Sequence, residues 1–269
     1  MIPAAVGYAR ADDLDHALEL LAEPDARAIA GGQSLIPLMK LRIARPSLVV
    51  DISGLALRGV RLGDDELHIG PLTTWNGLLE AVELRRPALA AITECASGIG
   101  DLQVRNRGTI GGSLAHADPA SDMPAVLLAL GAAFQLRSPD GERRIPGTDF
   151  LLGPFTTALE ARELIVDVVI PAPAPGTGSA YVSVEHPASG FPLAGAAAFA
   201  EPSGECTIAV TGIAAAPFVL PVGVEPAAAL DVVEIYGDRF AAAEYRRELT
   251  GVVARRAAER ALERAREDR

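Results

Sequence analysis

Apolar residues in the first 170 positions follow two spacings, one typical of helices and one typical of strands. Leu14, Leu18 and Leu21 share one helical face behind Asp12 and Asp13, which predicts a helix over residues 12–22. Further helices are expected over residues 74–82, 87–95 and 124–130, with a helical turn over 34–40. Short apolar runs predict strands over residues 26–30, 47–52, 67–70, 133–137 and 164–170.

The segment from residue 171 to residue 178 is dense in proline and glycine, which makes it the best candidate for a domain boundary. Beyond it, residues 194–200 and 207–213 run apolar or alternate in the way of strands. A long helix is expected over residues 239–266. The polar stretch 101–108 predicts a turn rather than a regular element.

Composition narrows the class of protein. The chain has 269 residues, of which 49% are hydrophobic and 22% charged, as expected for one large or two modest globular domains. A formal net charge of −11 argues against nucleic-acid binding, because the phosphate backbone would be repelled. No apolar run is long enough to span a bilayer and no signal peptide is visible, so we expect no integral membrane segment and a cytoplasmic location.

Two glycine pairs are the strongest candidates for a binding site. Gly31-Gly32 is followed by Ser34, and Gly111-Gly112 is preceded by Thr109 and followed by Ser113. Glycine lets backbone N–H groups approach phosphate oxygens, and a neighbouring hydroxyl adds a donor, so two such loops closing on one diphosphate would suit a dinucleotide. Neither pair fits the Rossmann or the Walker pattern, and two tight turns without a ligand remain the alternative.

The other chemical candidates are weaker. Asp118 and Asp122 could accept hydrogen bonds from ribose hydroxyls, although Asp122 or Ser121 could instead cap the helix over residues 124–130. His116 and Asp118 are too few for a metal site, so a local turn is favoured. No catalytic acid, base or nucleophile is evident, and the two isolated cysteines, Cys95 and Cys206, are not expected to hold an iron–sulfur cluster.

Several of these segments together resemble a known family. AGGQSLIPLMKLR at residues 30–42 and GIGDLQVRNRGTIGGSL at residues 98–114 are similar to the two FAD loops of the flavoprotein (medium) subunits of molybdenum hydroxylases. That family includes aerobic carbon monoxide dehydrogenases and relatives of xanthine dehydrogenase. AHADPASDMPA at residues 115–125, the residues around Phe155 and the segment 163–171 continue the resemblance, which covers about residues 1–200.

The resemblance implies an α+β fold of the FAD-binding PCMH-like (vanillyl-alcohol oxidase) type. Two α+β subdomains, about 1–55 and 56–172, would form the FAD-binding domain, and residues 178–269 a small C-terminal α+β domain with a three-stranded sheet and helices. Asp122 would lie near the adenosine end of FAD, and Leu164 and Ile165 near the flavin ring. The diphosphate would be held by Ala30, Gly31, Gly32, Gln33, Ser34, Leu35, Thr109, Ile110, Gly111, Gly112 and Ser113.

The same resemblance implies a function. The chain is expected to be an FAD-dependent electron-transfer subunit of a molybdenum hydroxylase complex, beside a large molybdopterin subunit and a small iron–sulfur subunit, as a dimer of heterotrimers. NAD, quinone or oxygen would accept the electrons. A self-contained flavin oxidoreductase is one alternative. An accessory subunit with a decayed flavin site is the other, suggested by Ser183 and Phe191, where relatives often carry lysine and tyrosine.

Overall fold

A computed structural model describes residues 2–268. The outermost residues of the two expected domains, Met1 and Arg269, therefore lie outside the described part of the chain. The N-terminal part is a three-stranded parallel sheet in the order β1-β3-β2 with two short helices. Its elements are β1 (Gly7–Arg10), α1 (Leu14–Leu20), β2 (Arg27–Ile29), α2 (Leu35–Lys40) and β3 (Leu48–Asp51).

The middle part is a five-stranded antiparallel sheet with helices packed on one face, in the strand order β4-β5-β10-β6-β7. Strands β8 and β9 form a separate two-stranded pair. The elements are β4 (Val60–Leu62), β5 (Glu66–Ile69), α3 (Trp75–Glu80), α4 (Ala90–Gly98), α5 (Leu102–Arg105), α6 (Ile110–His116), α7 (Met123–Ala129), β6 (Ala133–Ser138), β7 (Gly141–Pro146), α8 (Gly147–Phe150), β8 (Leu151–Gly153), β9 (Thr156–Thr157) and β10 (Leu164–Pro171).

The C-terminal part is an antiparallel sheet covered by one long helix. Its elements are β11 (Gly178–Glu185), β12 (Pro192–Ala200), β13 (Cys206–Thr211), β14 (Phe218–Val219), α9 (Pro226–Ala229) and α10 (Ala243–Glu267). Three long strands and the two-residue β14 form the sheet, so it has one short strand more than the three expected. Alanines fill the space between the sheet and α10, which brings the helix close to the strands.

Glu94 joins the middle and C-terminal parts. One carboxylate oxygen accepts hydrogen bonds from Arg260 and Arg264 of α10, each at 2.6 Å. The other accepts from the backbone N–H of Tyr181 in β11 at 2.8 Å. Helix α4 is therefore tied both to the C-terminal sheet and to the helix that covers it.

Most of the long elements match the sequence predictions, and three expectations are wrong. Residues 101–108 contain α5, because the Asp101 carboxylate accepts a hydrogen bond from the Val104 N–H at 2.8 Å and starts a helical turn. Neither Ser121 nor Asp122 caps α7, since no capping bond forms from Asp122 and the Ser121 hydroxyl pairs with Ser113 instead. Helix α10 begins at residue 243 rather than 239, after a turn held by the Asp238 carboxylate.

Candidate functional site

The first glycine pair lies in the short connection between β2 and α2. Gly32 has a φ of +74°, which favours glycine, and both glycines are buried. The backbone N–H groups from residue 31 to residue 35 have no hydrogen-bond acceptor among residues 2–268. The Ser34 hydroxyl makes no capping bond either. Since buried backbone donors are nearly always paired, this loop presents a row of donors suited to an anion.

The two glycine loops touch each other, as the sequence predicts. A Cβ atom on Gly31 would lie 1.9 Å from the carbonyl oxygen of Arg107 and 3.0 Å from the Cα atom of Gly108. Only glycine at residue 31 allows this approach, because real side chains never pack so closely. Residues 107 and 108 are separated from the second glycine pair only by Thr109 and Ile110, so the contact brings the start of that loop against the first.

The second glycine pair has a different role from the first. Gly111 and Gly112 lie in the first turn of α6, not in an open turn, and Thr109 caps that helix by accepting from the Gly112 N–H at 3.2 Å. The N–H of Ile110 donates to Thr73 and that of Gly111 to Pro71. A Cβ on Gly111 would lie 2.4 Å from the Cβ of Pro71. This pair therefore serves close packing, and its amides are already bonded.

Between the two loops lies a narrow space that we call the loop cleft. Residues from four segments of the chain line it: Ala30, Gly31, Ser53, Arg58, Leu72, Thr74, Asn106, Arg107 and Thr109. The hydroxyl oxygens of Thr74 and Thr109 accept from helix N–H groups at 3.1 and 3.2 Å, which leaves the hydroxyl protons free to donate. The loop cleft thus combines hydroxyl donors with two arginines: the Arg58 guanidinium donates to the Ser53 carbonyl, and Arg107 contacts Gly31 through its backbone carbonyl.

Asp122 occupies the N-cap position of α7 but makes no capping hydrogen bond there. Its carboxylate accepts a hydrogen bond from the Tyr181 hydroxyl of β11, so it connects α7 to the C-terminal sheet. Burial raises the pKa of Asp122 to about 7; the bond from Tyr181 opposes that rise, and the nearby carboxylate of Glu185 adds to it. Burial also raises the pKa of the Cys95 thiol, with the charge of Asp122 adding to the rise.

Leu164 and Ile165 begin β10 and are both buried, but they pack into different clusters. Leu164 belongs to the cluster that contains Leu55 and Leu72, and Leu72 lines the loop cleft. Ile165 packs into the large core formed by the helices of the middle part. The strand is irregular between Ile165 and Asp167, where the register with β6 shifts. The structure thus brings Leu164 toward the loop cleft more directly than Ile165.

Asp118 forms a local turn contact, as the sequence favours, whereas His116 contacts a residue distant in sequence. The Asp118 carboxylate accepts from the backbone N–H of Ala120 at 2.9 Å. The imidazole of His116 packs on the Phe155 ring, with 5.1 Å between ring centroids. Within residues 2–268, no three side chains of metal-binding type gather at one point.

Sequence reasoning missed several residues of the loop cleft. Ser53 and Arg58 belong to no glycine motif, and only their position in the fold brings them to the loops, whereas Asn106 lies within the second loop segment, residues 98–114, without having been singled out. Thr74 could have been found, because it starts the helix expected over residues 74–82 and is its N-cap. Arg58 carries no local signal at all.

The residues present fit an FAD diphosphate. The unpaired amides after Gly31 can donate to phosphate oxygens, a Cβ at residue 31 would fill the approach, and no carboxylate lines the loop cleft. The lining of the loop cleft therefore suits the holding of a phosphorylated group.

Comparisons with known proteins agree with this reading. The family described as "FAD binding domain in molybdopterin dehydrogenase" matches residues 4–173. The carbon monoxide dehydrogenase medium chain of Hydrogenophaga pseudoflava is 40% identical over 80% of this chain and 77% of its own length. The 6-hydroxypseudooxynicotine dehydrogenase subunit alpha of Paenarthrobacter nicotinovorans is 41% identical over 77% of this chain and 71% of its own.

A solved structure of carbon monoxide dehydrogenase from Hydrogenophaga pseudoflava also resembles the fold. One of its chains superposes with a TM-score of 0.91 and 34% identity, covering 98% of this chain and 99% of that one. The similarity therefore includes the C-terminal sheet and α10. In the part of the chain that the structure describes, no helix is both long and apolar enough to cross a membrane.

Proposed function

The chain belongs to the FAD-binding family of the molybdopterin dehydrogenases, and on that premise we propose how it holds FAD and which assembly it serves. It is an oxidoreductase subunit that binds FAD and passes electrons through it, in the manner of the medium subunits of molybdenum hydroxylase complexes. The observation that carries this function is the row of unpaired amides at the first glycine loop, closed by the second.

We propose that the two glycine loops have different roles in binding the diphosphate. The amides of residues 31–35 and the Ser34 hydroxyl would donate to its oxygens. Thr109 would add its hydroxyl proton, while Gly111 and Gly112 hold that threonine in place through close packing. Ala30, Gln33, Leu35, Ile110 and Ser113, which the resemblance places in contact with the diphosphate, would also shape the loops around these donors.

The remaining predicted contacts lie further along the cofactor. We propose that Asp122 faces the adenosine end and that Leu164 and Ile165 lie toward the flavin ring. In this arrangement residues 1–172 form the FAD-binding domain, divided at about residue 55, and residues 178–269 form the C-terminal domain. The proline- and glycine-rich connection between β10 and β11 supports this division.

FAD, when bound, supplies the redox chemistry, because a flavin can take up electrons singly and deliver them in pairs. The chain's own residues bind and orient it. We propose that the chain contributes no catalytic acid, base or nucleophile of its own. A chain that binds and orients FAD, while FAD itself supplies the redox chemistry, suits a subunit that carries electrons between other centres.

We propose that the partners are a large molybdopterin subunit and a small iron–sulfur subunit, assembled in the cytoplasm as a dimer of heterotrimers. Relatives of nearly equal identity carry names that refer to different substrates, so the substrate is set in another chain. The final acceptor would be NAD, a quinone or oxygen. The isolated positions of Cys95 and Cys206 support the placing of iron–sulfur clusters in a partner.

Purification of the tagged full chain from its native host tests this proposal. We expect FAD in a 1:1 ratio to the chain, together with one iron–sulfur and one molybdopterin subunit in equal amounts. Reduction of the flavin should require the assembled complex and its substrate. A chain that is purified alone, carries no FAD and gains none on addition of the cofactor would overturn the proposal.

A further inference from the structure

The loop cleft has a charge opposite to that of the whole chain. Arg58 and Arg107 both line it, and none of its nine lining residues is acidic. The chain as a whole carries 35 acidic residues against 24 lysines and arginines. A lining that contains two arginines and no acidic residue is therefore a local exception on an acidic protein, and it lies where the two glycine loops meet.

Neither guanidinium is neutralised by the protein. Arg58 donates one hydrogen bond, to the backbone carbonyl of Ser53 at 2.6 Å, and Ser53 in turn donates its N–H to the Asp51 carboxylate at 2.8 Å. Within residues 2–268, neither Arg58 nor Arg107 forms an ion pair. By contrast, Arg246 and Arg264 each pair with a carboxylate within 2.7 Å. Arg58 is thus held at the loop cleft by a neutral acceptor that leaves its charge available.

We propose that Arg58 and Arg107 are the charge partners of the FAD diphosphate, and so determine the preference for FAD over unphosphorylated flavins. This inference rests on the proposed function. The amides of the first loop orient phosphate oxygens, but they carry no net charge. Two guanidinium groups neutralise the diphosphate and make charge-assisted hydrogen bonds, which are about twice as strong as neutral ones.

If the two arginines bind the diphosphate, they should affect recognition of the phosphates but not recognition of the flavin ring. Riboflavin has the same ring system as FAD but no phosphate, so its affinity should not depend on either arginine. The affinity for FAD should fall as salt rises, since ions screen exposed charges, and this dependence should weaken when a guanidinium is removed. Arg61 offers a matched control, because it lines the neighbouring cleft beside Arg58 but not the loop cleft.

Titration of the full chain with FAD and with riboflavin, at low and high salt, tests the inference. We expect Arg58→Gln and Arg107→Gln each to weaken FAD binding about tenfold to a hundredfold, the loss typical of a hydrogen bond to a charged group. Riboflavin affinity should stay unchanged. Arg61→Gln should behave as the parent, and Arg58→Lys should recover part of the affinity. Thermal melting of each variant checks that it is folded.

Two results would overturn the inference while leaving the proposed function in place. One is FAD affinity in Arg58→Gln and Arg107→Gln equal to that of Arg61→Gln. The other is an equal loss for riboflavin, which would place the arginines at the ring or in the framework. If the folded parent bound no FAD at any salt concentration, the proposed function itself would fail and this inference with it.

Discussion

The Cα of Gly31 lies against the carbonyl oxygen of Arg107, so close that a Cβ on residue 31 would be 1.9 Å from that oxygen. Two loops that are far apart in sequence thus meet with no side chain between them. The amides of residues 31–35 have no protein acceptor, and Gly31 itself lines the loop cleft. The geometry of this single contact underlies the account of FAD binding.

Replacing Gly31 with alanine should disrupt both the contact and the cofactor site. The added methyl group cannot be accommodated unless the loops move apart, so we expect a loss of about 1–3 kcal/mol in the free energy of unfolding and FAD binding weakened at least tenfold. Urea unfolding and FAD titration measure the two effects. Gly153→Ala is the control, because a Cβ there would meet nothing within 4 Å. Equal behaviour of the two variants would refute the steric explanation.

Ser34→Ala should weaken FAD binding while leaving the stability of the fold unchanged. The Ser34 hydroxyl makes no capping bond, so its removal should leave the unfolding free energy within about 0.5 kcal/mol of the parent. If the hydroxyl donates to a phosphate oxygen, the affinity for FAD should fall about tenfold or more, the value of one hydrogen bond to a charged group. Ser138→Ala, in the hairpin of β6 and β7, removes a hydroxyl that accepts from the Asp140 N–H at 3.3 Å, and it should leave the FAD affinity unchanged. Unaltered FAD affinity in Ser34→Ala would remove this residue from the site.

Asp122 should make stability depend on pH. Its pKa is raised to about 7 in the folded chain, chiefly by burial, against an ordinary value of about 3.9 in the unfolded chain. Between these values the folded chain holds a proton that the unfolded chain has lost, so stability falls as pH rises from about 4 to about 7. Asp122→Asn should remove this fall and be more stable than the parent at pH 8, by up to about 4 kcal/mol.

A second variant checks the cause of that pH dependence. The Tyr181 hydroxyl donates to the Asp122 carboxylate and lowers its pKa, so Tyr181→Phe should move the pH window upward. Urea unfolding of parent and variants across the pH range measures both effects. A parent-like decline of stability with pH in Asp122→Asn would show that another group titrates.

Arg246 should be important for the stability of the C-terminal part. The guanidinium is buried and donates to the carbonyl oxygens of Leu193 and Gly212 and to the Asp238 carboxylate, at 2.6 to 2.7 Å. Arg246→Met leaves these acceptors unpaired, and we expect a loss of about 3 kcal/mol in unfolding free energy. Arg256→Met, at an exposed position on the same helix, should cost less than about 0.5 kcal/mol. Similar unfolding midpoints for both variants would contradict this role.

The sequence predicted the positions of the two glycine loops well, because the signals are local. A glycine pair with a nearby hydroxyl residue, after a short apolar run, identifies a tight connection wherever it lies in the fold. The same signal could not distinguish the roles of the two pairs. Gly31 is required by Arg107 and Gly111 by Pro71, and each of these contacts depends on tertiary packing.

The site residues that could not be predicted depend on partners distant in sequence. Arg58 reaches the loop cleft from the connection between the first two sheets. Asp122 looked like a helix cap because its local sequence suits one, but its partner is Tyr181, in a strand that the apolar pattern did not reveal. Short edge strands such as β4 and β14 were missed for a similar reason, since three or two residues give too little periodicity.

Hydrogen exchange of the backbone amides, with and without saturating FAD, tests the central claim most directly. The amides of residues 31–35 have no protein acceptor, so we expect them to exchange rapidly in the free chain and to become protected when FAD binds. Those of residues 110–113 are already bonded and should change little. FAD binding that left residues 31–35 unprotected, or that protected only residues 110–113, would contradict the account.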